Sequence, residues 1–253
     1  MTPRAADPPR RLFLLDGHSL SYRAFFALPP SLATTSGQVT NAVYGFTQSL
    51  RKILNDFKPE FIAIAFDVKG PSFRHELMAE YKAERKPMDE LLVAQVPYIK
   101  RMVAAFNVPA IEMAGFEADD VIATLVKRCS GKGLKTAIIT GDKDMYQLVD
   151  EDTVILDYLT GKEYGPAEVK EKYGVDPGQI RDLLALAGDS SDNIPGVPGI
   201  GFKTAAKLLS EYGSMDGIYE NIERISRDKL RESLKLNKDV AALSSQLATL
   251  HQD

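Results

Sequence analysis

RLFLLD (11–16), FIAIAFD (61–67), TAIITGD (136–142) and TVILD (153–157) are short apolar runs, rich in Ile, Leu and Phe, and each ends on an aspartate. Continuous apolar runs of this length read as strands buried on both faces. Amphipathic helical stretches over 42–57, 91–106 and 118–128 lie between them. Strand and helix therefore alternate, which predicts an α/β fold with a mostly parallel central sheet flanked by helices. Ligands of such sheets sit beyond the carboxyl ends of the strands. Asp16, Asp67 and Asp142 fall there.

After about residue 165 the strand pattern stops, and helical patterns follow over 166–173, 180–187, 204–212 and 227–250. The loop GDSSDNIPGVPGIG (188–201) carries the densest Gly and Pro of the chain. These patterns predict an α/β core over 11–174 and a helical region over 175–253. The start, MTPRAADPPRR, is basic and proline-rich, and its apolar run from Leu12 to Leu15 is too short for a signal-peptide core. Residues 1–10 read as a frayed leader. No run approaches the roughly 20 apolar residues of a membrane span, and the chain reads as soluble and cytoplasmic.

At 253 residues, 44% hydrophobic and 26% charged, the composition excludes a disordered chain and a disulfide-stapled miniprotein. Cys129 has no second cysteine to pair with, and His18, His75 and His251 are scattered, which argues against a Cys/His zinc site. Any hydrolytic metal must be held by oxygen.

Nine carboxylates recur in five places: Asp16; Asp67; Glu117, Asp119 and Asp120 in GFEADDVIATL; Asp142 and Asp144 in TGDKDM; Asp189 and Asp192 in GDSSDN. Glu117 and Asp120 are three apart at a helix start, as are Asp189 and Asp192 if that segment is helical, so each pair can project from one face. Singly, each acid is at home in a first helical turn or after a strand. Together, acids converging on one sheet edge would repel and raise one another's pKa. Hard divalent cations, Mg²⁺ or Mn²⁺, relieve this, and two ions roughly 4 Å apart can clamp both oxygens of a phosphodiester displacement. Nine acids exceed what two ions ligate, so some would hold the ions' waters.

In NIPGVPGIGFKTAAKLL (193–209), Gly196, Gly199 and Gly201 bracket a tight turn that opens a helix, with Lys203 and Lys207 one turn apart beside it. Free N–H groups at such a helix start can cradle a phosphate, as in a helix-hairpin-helix (188–209) that grips DNA without reading bases. The bland alternative is a glycine-rich interhelical turn. The stretch SFRHELMAEYKAERKP (72–87) carries Arg74, His75, Lys82, Arg85 and Lys86 around Tyr81. Its spacing predicts a basic helical face for phosphate with Tyr81 able to stack on a base, or else a solvated helix whose glutamates pair with the bases. The formal net charge is −4, from 31 basic and 35 acidic residues. With the nine acids neutralised by cations, the bases outnumber the remaining 26 acids, and the acidic balance no longer argues against a nucleic-acid partner.

In this order and together, LFLLDGHSLSYRAFFALP (12–29), FDVKGPSFRHELMAEYKAERKP (66–87), GFEADDVIATL, TGDKDMYQLV (140–149), GDSSDNIPGVPGIGFKTAAKLL (188–209) and LSSQLATL (243–250) resemble the 5′-nuclease, or flap endonuclease, family. The resemblance is to the amino-terminal 5′→3′ exonuclease domain of bacterial DNA polymerase I and its phage and stand-alone relatives. It implies a PIN-like nuclease fold with a helical arch or gateway at about 72–100. It further implies that Asp16, Asp67, Glu117, Asp119 and Asp120 serve a first metal, and Asp142, Asp144, Asp189 and Asp192 a second. Lys82 and Arg85 would contact the scissile phosphate, joining Asp16 and Asp142 in the catalytic set, and Tyr81 would stack on a nucleobase. Arg74, Lys86, Lys203, Lys207 and the turn of Gly196, Gly199 and Gly201 would contact DNA, with K⁺ on the turn's carbonyls, while 34–46 would meet DNA across the junction.

The implied activity is two-metal hydrolysis of DNA near single-strand/duplex junctions, at a 5′ flap, nick or 5′ end, RNA-primed or not, leaving 5′-phosphate and 3′-hydroxyl ends for primer removal and repair. A DNA polymerase would be its partner in cis or in trans, and the protein itself would be a monomeric, nucleoid-associated bacterial or phage protein. The alternatives are a catalytically inactive junction binder of the same fold and a metal-dependent ribonuclease or phosphatase. A haloacid-dehalogenase-type phosphatase wants a second acid two positions after its nucleophilic Asp, and here Asp16 is followed by Gly17 and His18.

Overall fold

The structure, a computed structural model, describes residues 10–252. The leader expectation for residues 1–9 lies outside them, and Arg10 already belongs to the first strand. In chain order the amino-terminal elements are β1 (Arg10–Asp16), α1 (Gly17–Ala27), α2 (Asn41–Phe57), β2 (Phe61–Ala65), α3 (Phe73–Leu77), α4 (Glu90–Val93), α5 (Val96–Ala105), β3 (Ala110–Ile111), α6 (Ala118–Cys129), β4 (Leu134–Ile139), β5 (Thr153–Asp157) and β6 (Lys162–Tyr164). The helices α7 (Pro166–Tyr173), α8 (Ile180–Ala187), α9 (Phe202–Tyr212), α10 (Met215–Glu220), α11 (Asp228–Leu236) and α12 (Lys238–Ala248) follow.

The six strands form one sheet in the order β3-β2-β1-β4-β5-β6, parallel except for the β5–β6 edge. In β1 alternate side chains enter opposite cores. Leu12 and Leu14 pack with Val121, Ile122 and the carboxyl-terminal helices, while Phe13 and Leu15 pack with Phe46, Leu50 and Ile99 on the other face. Burial on both faces is why the strand reads as a continuous apolar run. The chain reverses its direction of travel across the sheet between β1 and β4, which makes their carboxyl ends the switch point where such folds open a crevice.

Several local expectations are overturned. Residues 78–89 are turn and irregular chain rather than helix, so Lys82, Arg85 and Lys86 do not share a helical face. Lys82 takes a left-handed φ of 56° and gives its N–H to the Asp192 carbonyl. The pull of Asp192 and Glu117 on this segment, and Pro87 at its end, break the helical repeat. Asp189 and Asp192 sit on a turn closed by a bridge between Asp189 and Ile194, not on a helix. Helical structure over 91–105 breaks between α4 and α5, and the 227–250 tail breaks at Asn237. The short strands β3 and β6 escaped the sequence pattern.

Candidate active site

Three strand ends, those of β1, β2 and β4, each hand one acid to the crevice. Asp16, the last residue of β1, caps α1 by accepting the Ser19 N–H at 2.9 Å and accepts the Thr140 hydroxyl at 2.9 Å. Asp67, two residues past β2, accepts the Ala118 N–H at 2.7 Å and so joins that strand end to α6. His18 Nδ1 accepts the Asp67 N–H at 3.1 Å and lies 3.2 Å from Asp67 Oδ2. Asp142, three residues past β4, donates its N–H to Thr140 and accepts that of Asp144. With Asp119 of α6 these carboxylates line a cleft of about 810 Å³, together with Tyr22, Lys69, Lys82, Arg85 and Lys100.

The electrostatics of these acids are not alike. Burial pushes Asp16 up to about 6, helped by the charges of Asp67 and Asp142. Asp119 lies well above the carboxylate range because of burial and of Asp142 and Asp16 beside it. Burial also acts upward on Asp67, but the His18 and Ala118 hydrogen bonds and the charge of Lys82 bring it below its ordinary value.

The 3₁₀ turn Asp144–Leu148 and the loop after α8 bring Asp144, Asp189 and Asp192 together, with one oxygen of each within 4.8 Å of the others. All three are buried, and Asp144 Oδ1 has no hydrogen-bond partner. Burial and Asp142 push Asp144 up to about 8. Asp189 accepts Lys143 Nζ at 2.6 Å and the Ser191 hydroxyl at 2.7 Å, and these bonds outweigh burial to keep it low. Asp192 accepts the Tyr81 hydroxyl at 3.1 Å and the Arg85 guanidinium, with Lys82 3.6 Å away. An oxygen-only donor set with a buried, orphaned carboxylate oxygen suits a hard cation, and this cluster can hold a metal ion.

Glu117 and Asp120 form the capping box of α6. Glu117 accepts Lys82 Nζ at 2.9 Å, the Tyr81 hydroxyl at 3.2 Å and Arg74 at 3.3 Å. Asp120 accepts both Arg74 terminal nitrogens at 2.8 Å, the Glu117 N–H at 3.0 Å and the His251 N–H at 2.8 Å. Four donors fill its oxygens and leave Asp120 no free lone pair for a further partner.

Two expected DNA contacts are corrected. Arg74 is 2% exposed and gives its remaining donors to the Leu247 and Thr249 carbonyls, so it is a core clasp rather than a phosphate contact. Tyr81 is 3% exposed, and its hydroxyl bridges Glu117 and Asp192, leaving no ring face for a nucleobase. Lys82 and Arg85 do line the cleft, turned onto its acids. Lys86 is exposed and outside the cleft lining.

The glycine turn stands between α8 and α9. Gly196 has a φ of 63°, and a Cβ there would meet the Gly188 nitrogen at 2.3 Å, so two backbones touch where only glycine fits. Gly199 also has positive φ, and Gly201 caps α9, whose exposed Lys203 and Lys207 lie one turn apart. His18, Thr140 and Lys143 were not singled out by the sequence reading. Lys143 carried the plainest signal, standing between Asp142 and Asp144.

Two family models together match residues 11–253: the "5′-3′ exonuclease, N-terminal resolvase-like domain" over residues 11–174 and the "5′-3′ exonuclease, C-terminal SAM fold" over 175–253. The chain belongs to the 5′–3′ exonuclease family. DNA polymerase I of Caldicellulosiruptor bescii is 48% identical over 246 residues, covering 95% of this chain and 29% of the relative. That of Bacillus subtilis is 44% identical over 248 residues, covering 96% and 28%. This exonuclease chain thus spans less than a third of the length of these relatives. A pseudo-enzyme–product complex of the phage T5 flap endonuclease with DNA and metal ions superposes with a TM-score of 0.76 at 25% identity, covering 95% of this chain and 89% of that one. Phosphatase, ribonuclease and inactive-binder readings are not favoured beside these matches.

Proposed function

We propose that this chain is a structure-specific 5′-nuclease that hydrolyses DNA phosphodiesters at 5′ flaps, nicks and 5′ ends, and that it does so in the bacterial cytoplasm beside a DNA polymerase. The observation that carries this reading is the orphaned Asp144 oxygen, buried beside Asp189 and Asp192 next to a cleft already lined by Asp16, Asp67, Asp119 and Asp142. Divalent ions, Mg²⁺ or Mn²⁺, would supply charge stabilisation of the displacement and acidify the attacking water.

The chain's own groups do the rest. Asp16, Asp67 and Asp119 would hold one ion and Asp142, Asp144, Asp189 and Asp192 the other, with Glu117 and Asp120 fixing them from behind. Lys82 and Arg85, now neutralising Glu117 and Asp192, are cations of the cleft lining that can turn to a phosphate once those acids are otherwise satisfied. The turn at 196–201, with Lys203 and Lys207, would grip the duplex through its phosphates, with K⁺ on its carbonyls, so geometry rather than base sequence selects the cut. Residues 34–46 would meet DNA on the other side of the junction.

Cleavage of a 5′-labelled flap duplex, a blunt duplex and a single strand, each with Mg²⁺ and with EDTA, tests the reading. The expected result is metal-dependent cutting that favours the flap junction. Binding of the junction without cutting under either Mg²⁺ or Mn²⁺ would overturn it.

A further inference from the structure

Lys143 stands in sequence between Asp142 and Asp144 and opens the 3₁₀ turn Asp144–Leu148. Its ammonium lies 2.6 Å from Asp189 Oδ2 and 4.0 Å from Asp144 Oδ1. The first contact is a charged hydrogen bond, and the second is too long for one. Asp144 Oδ1 is the buried oxygen that has no hydrogen-bond partner. One positive charge of the chain thus sits against two of the three carboxylates, Asp144, Asp189 and Asp192, that each bring an oxygen within 4.8 Å of the others. It bonds to only one of them. A divalent ion takes six or more oxygens, so an ion in this cluster would compete with the ammonium for Asp189.

Lys143 is placed to give way. Its side chain is 33% exposed and lines two open depressions, of about 340 and 630 Å³, which the ammonium can enter when Asp189 is taken. Its contact with the Ser191 hydroxyl, at 3.5 Å, is at the limit of a hydrogen bond. Arg74, by contrast, is 2% exposed and tied to two acids and two carbonyls, with no such exit. Asp189 in turn stays in place without Lys143. Ser191 gives Oδ1 its N–H at 3.0 Å and its hydroxyl at 2.7 Å, and the Asp189 backbone pairs with Ile194 in both directions at 2.9 and 2.8 Å. Removing the ammonium therefore removes a competitor without releasing the carboxylate.

We propose that the Lys143 ammonium is a tethered stand-in for the divalent ion of the Asp144–Asp189–Asp192 cluster. It neutralises Asp189 in the metal-free chain, is displaced when the ion enters, and so lowers the ion's affinity. The proposal rests on the metal-nuclease reading for the identity of the ion. It is tested without DNA, on the full chain, by calorimetric titration with Mn²⁺. Lys143→Met is expected to bind Mn²⁺ about 10-fold more tightly, the worth of one charged hydrogen bond. In EDTA it should unfold at lower urea than wild type, and saturating Mn²⁺ should narrow the gap. Asp144→Asn, which cripples the cluster, should erase the gain when combined with Lys143→Met. Lys172→Met removes an equal charge from the same two depressions but from a lysine bonded to the Tyr146 hydroxyl, and should leave the affinity near wild type. The wild-type chain gives a second measurement that no folding defect can blur. Pulsed amidination read by mass spectrometry should label Lys143 several-fold faster in Mn²⁺ than in EDTA, with Lys172 unchanged. Mn²⁺ affinity in Lys143→Met that is unchanged or weaker, equal tightening in Lys172→Met, or Lys143 labelling indifferent to Mn²⁺ would each overturn the stand-in. Flap cleavage by the wild type in Mg²⁺, measured separately, keeps the two ideas apart: a chain that cuts flaps but shows none of these shifts loses only the stand-in. One that shows them but cuts nothing loses only the nuclease reading.

Discussion

Asp16 and Asp119 have no ion-pair partner among the described residues and Asp144 has only Lys143 at 4.0 Å, whereas Glu117, Asp120, Asp189 and Asp192 are each met closely by a cation of the chain itself. The first group lies on or beside the ends of β1 and β4 and at the start of α6, where burial and neighbouring acids outweigh the donors and cations that reach it. The second is wrapped by Arg74, Lys82, Arg85 and Lys143 from segments far away in sequence. Charge left uncompensated in a fold is costly, so the first group is built for a cation from outside and the second is already partly paid in protein charge. Asp189 and Asp192 stand between the two, since they share the orphaned Asp144 cluster with their own cations still attached.

The contrast breaks most sharply at Asp142. Asp142→Asn should abolish Mg²⁺-dependent cleavage by well over the roughly 10- to 100-fold that loss of an outer holder costs, while flap binding in EDTA changes only a few-fold. Single-turnover cleavage and a binding titration decide it. Turnover within 10-fold of wild type would remove Asp142 from the proposed metal-holding set that the uncompensated acids serve.

The compensated group should fail in a different way, through stability. Arg74→Met strips Asp120 of both guanidinium bonds and leaves a buried carboxylate unpaired, a loss expected at about 3–5 kcal/mol. Urea unfolding should register it, and Arg74→Met with Asp120→Leu together should recover part of the loss because no charge is then stranded. A single-variant loss under about 1 kcal/mol would show that the clasp is ornamental and that the two groups differ less than their geometry suggests.

The same contrast separates what the sequence discloses from what it hides. The sheet, its parallel sense and the placing of Asp16, Asp67 and Asp142 at or just past strand ends are legible because buried strands leave apolar runs and the residues that close them lie at the crevice. Arg74 is illegible. Its partners are an acid 46 residues away and two backbone carbonyls beyond residue 246, and a carbonyl has no residue-type signature. Tyr81 misleads for a related reason: an aromatic among lysines and arginines looks like a stacking platform until Glu117 and Asp192 are seen to take its hydroxyl. The helical spacing of Lys82, Arg85 and Lys86 is real in sequence, yet tertiary pull from two carboxylates outweighs so short a helix, whose nucleation is costly.

The smallest expected effect is also the one that reads the uncompensated group directly. Asp16 and Asp144 titrate near 6 and 8 in the folded chain, above the ordinary 3.8. Between those values the folded state binds more protons than the unfolded one, so stability falls as pH rises. The metal-free protein is therefore expected to be most stable at the acidic end of this window, with stability declining by a few kcal/mol toward pH 8 and levelling beyond it. Asp67 and Asp189, held below 3.8, contribute nothing to this slope, because their loss begins only at more acidic pH. Melting temperatures in EDTA at pH 5, 6, 7 and 8 should descend, and Asp144→Asn should flatten the upper part of the curve. Saturating Mg²⁺ should flatten all of it and raise it, since a bound cation takes the proton's place and stabilises the folded state by mass action. A chelated profile that is level or rising from pH 5 to 8 would mean that these carboxylates already find their counter-charge within the chain, and the distinction between the two groups would collapse.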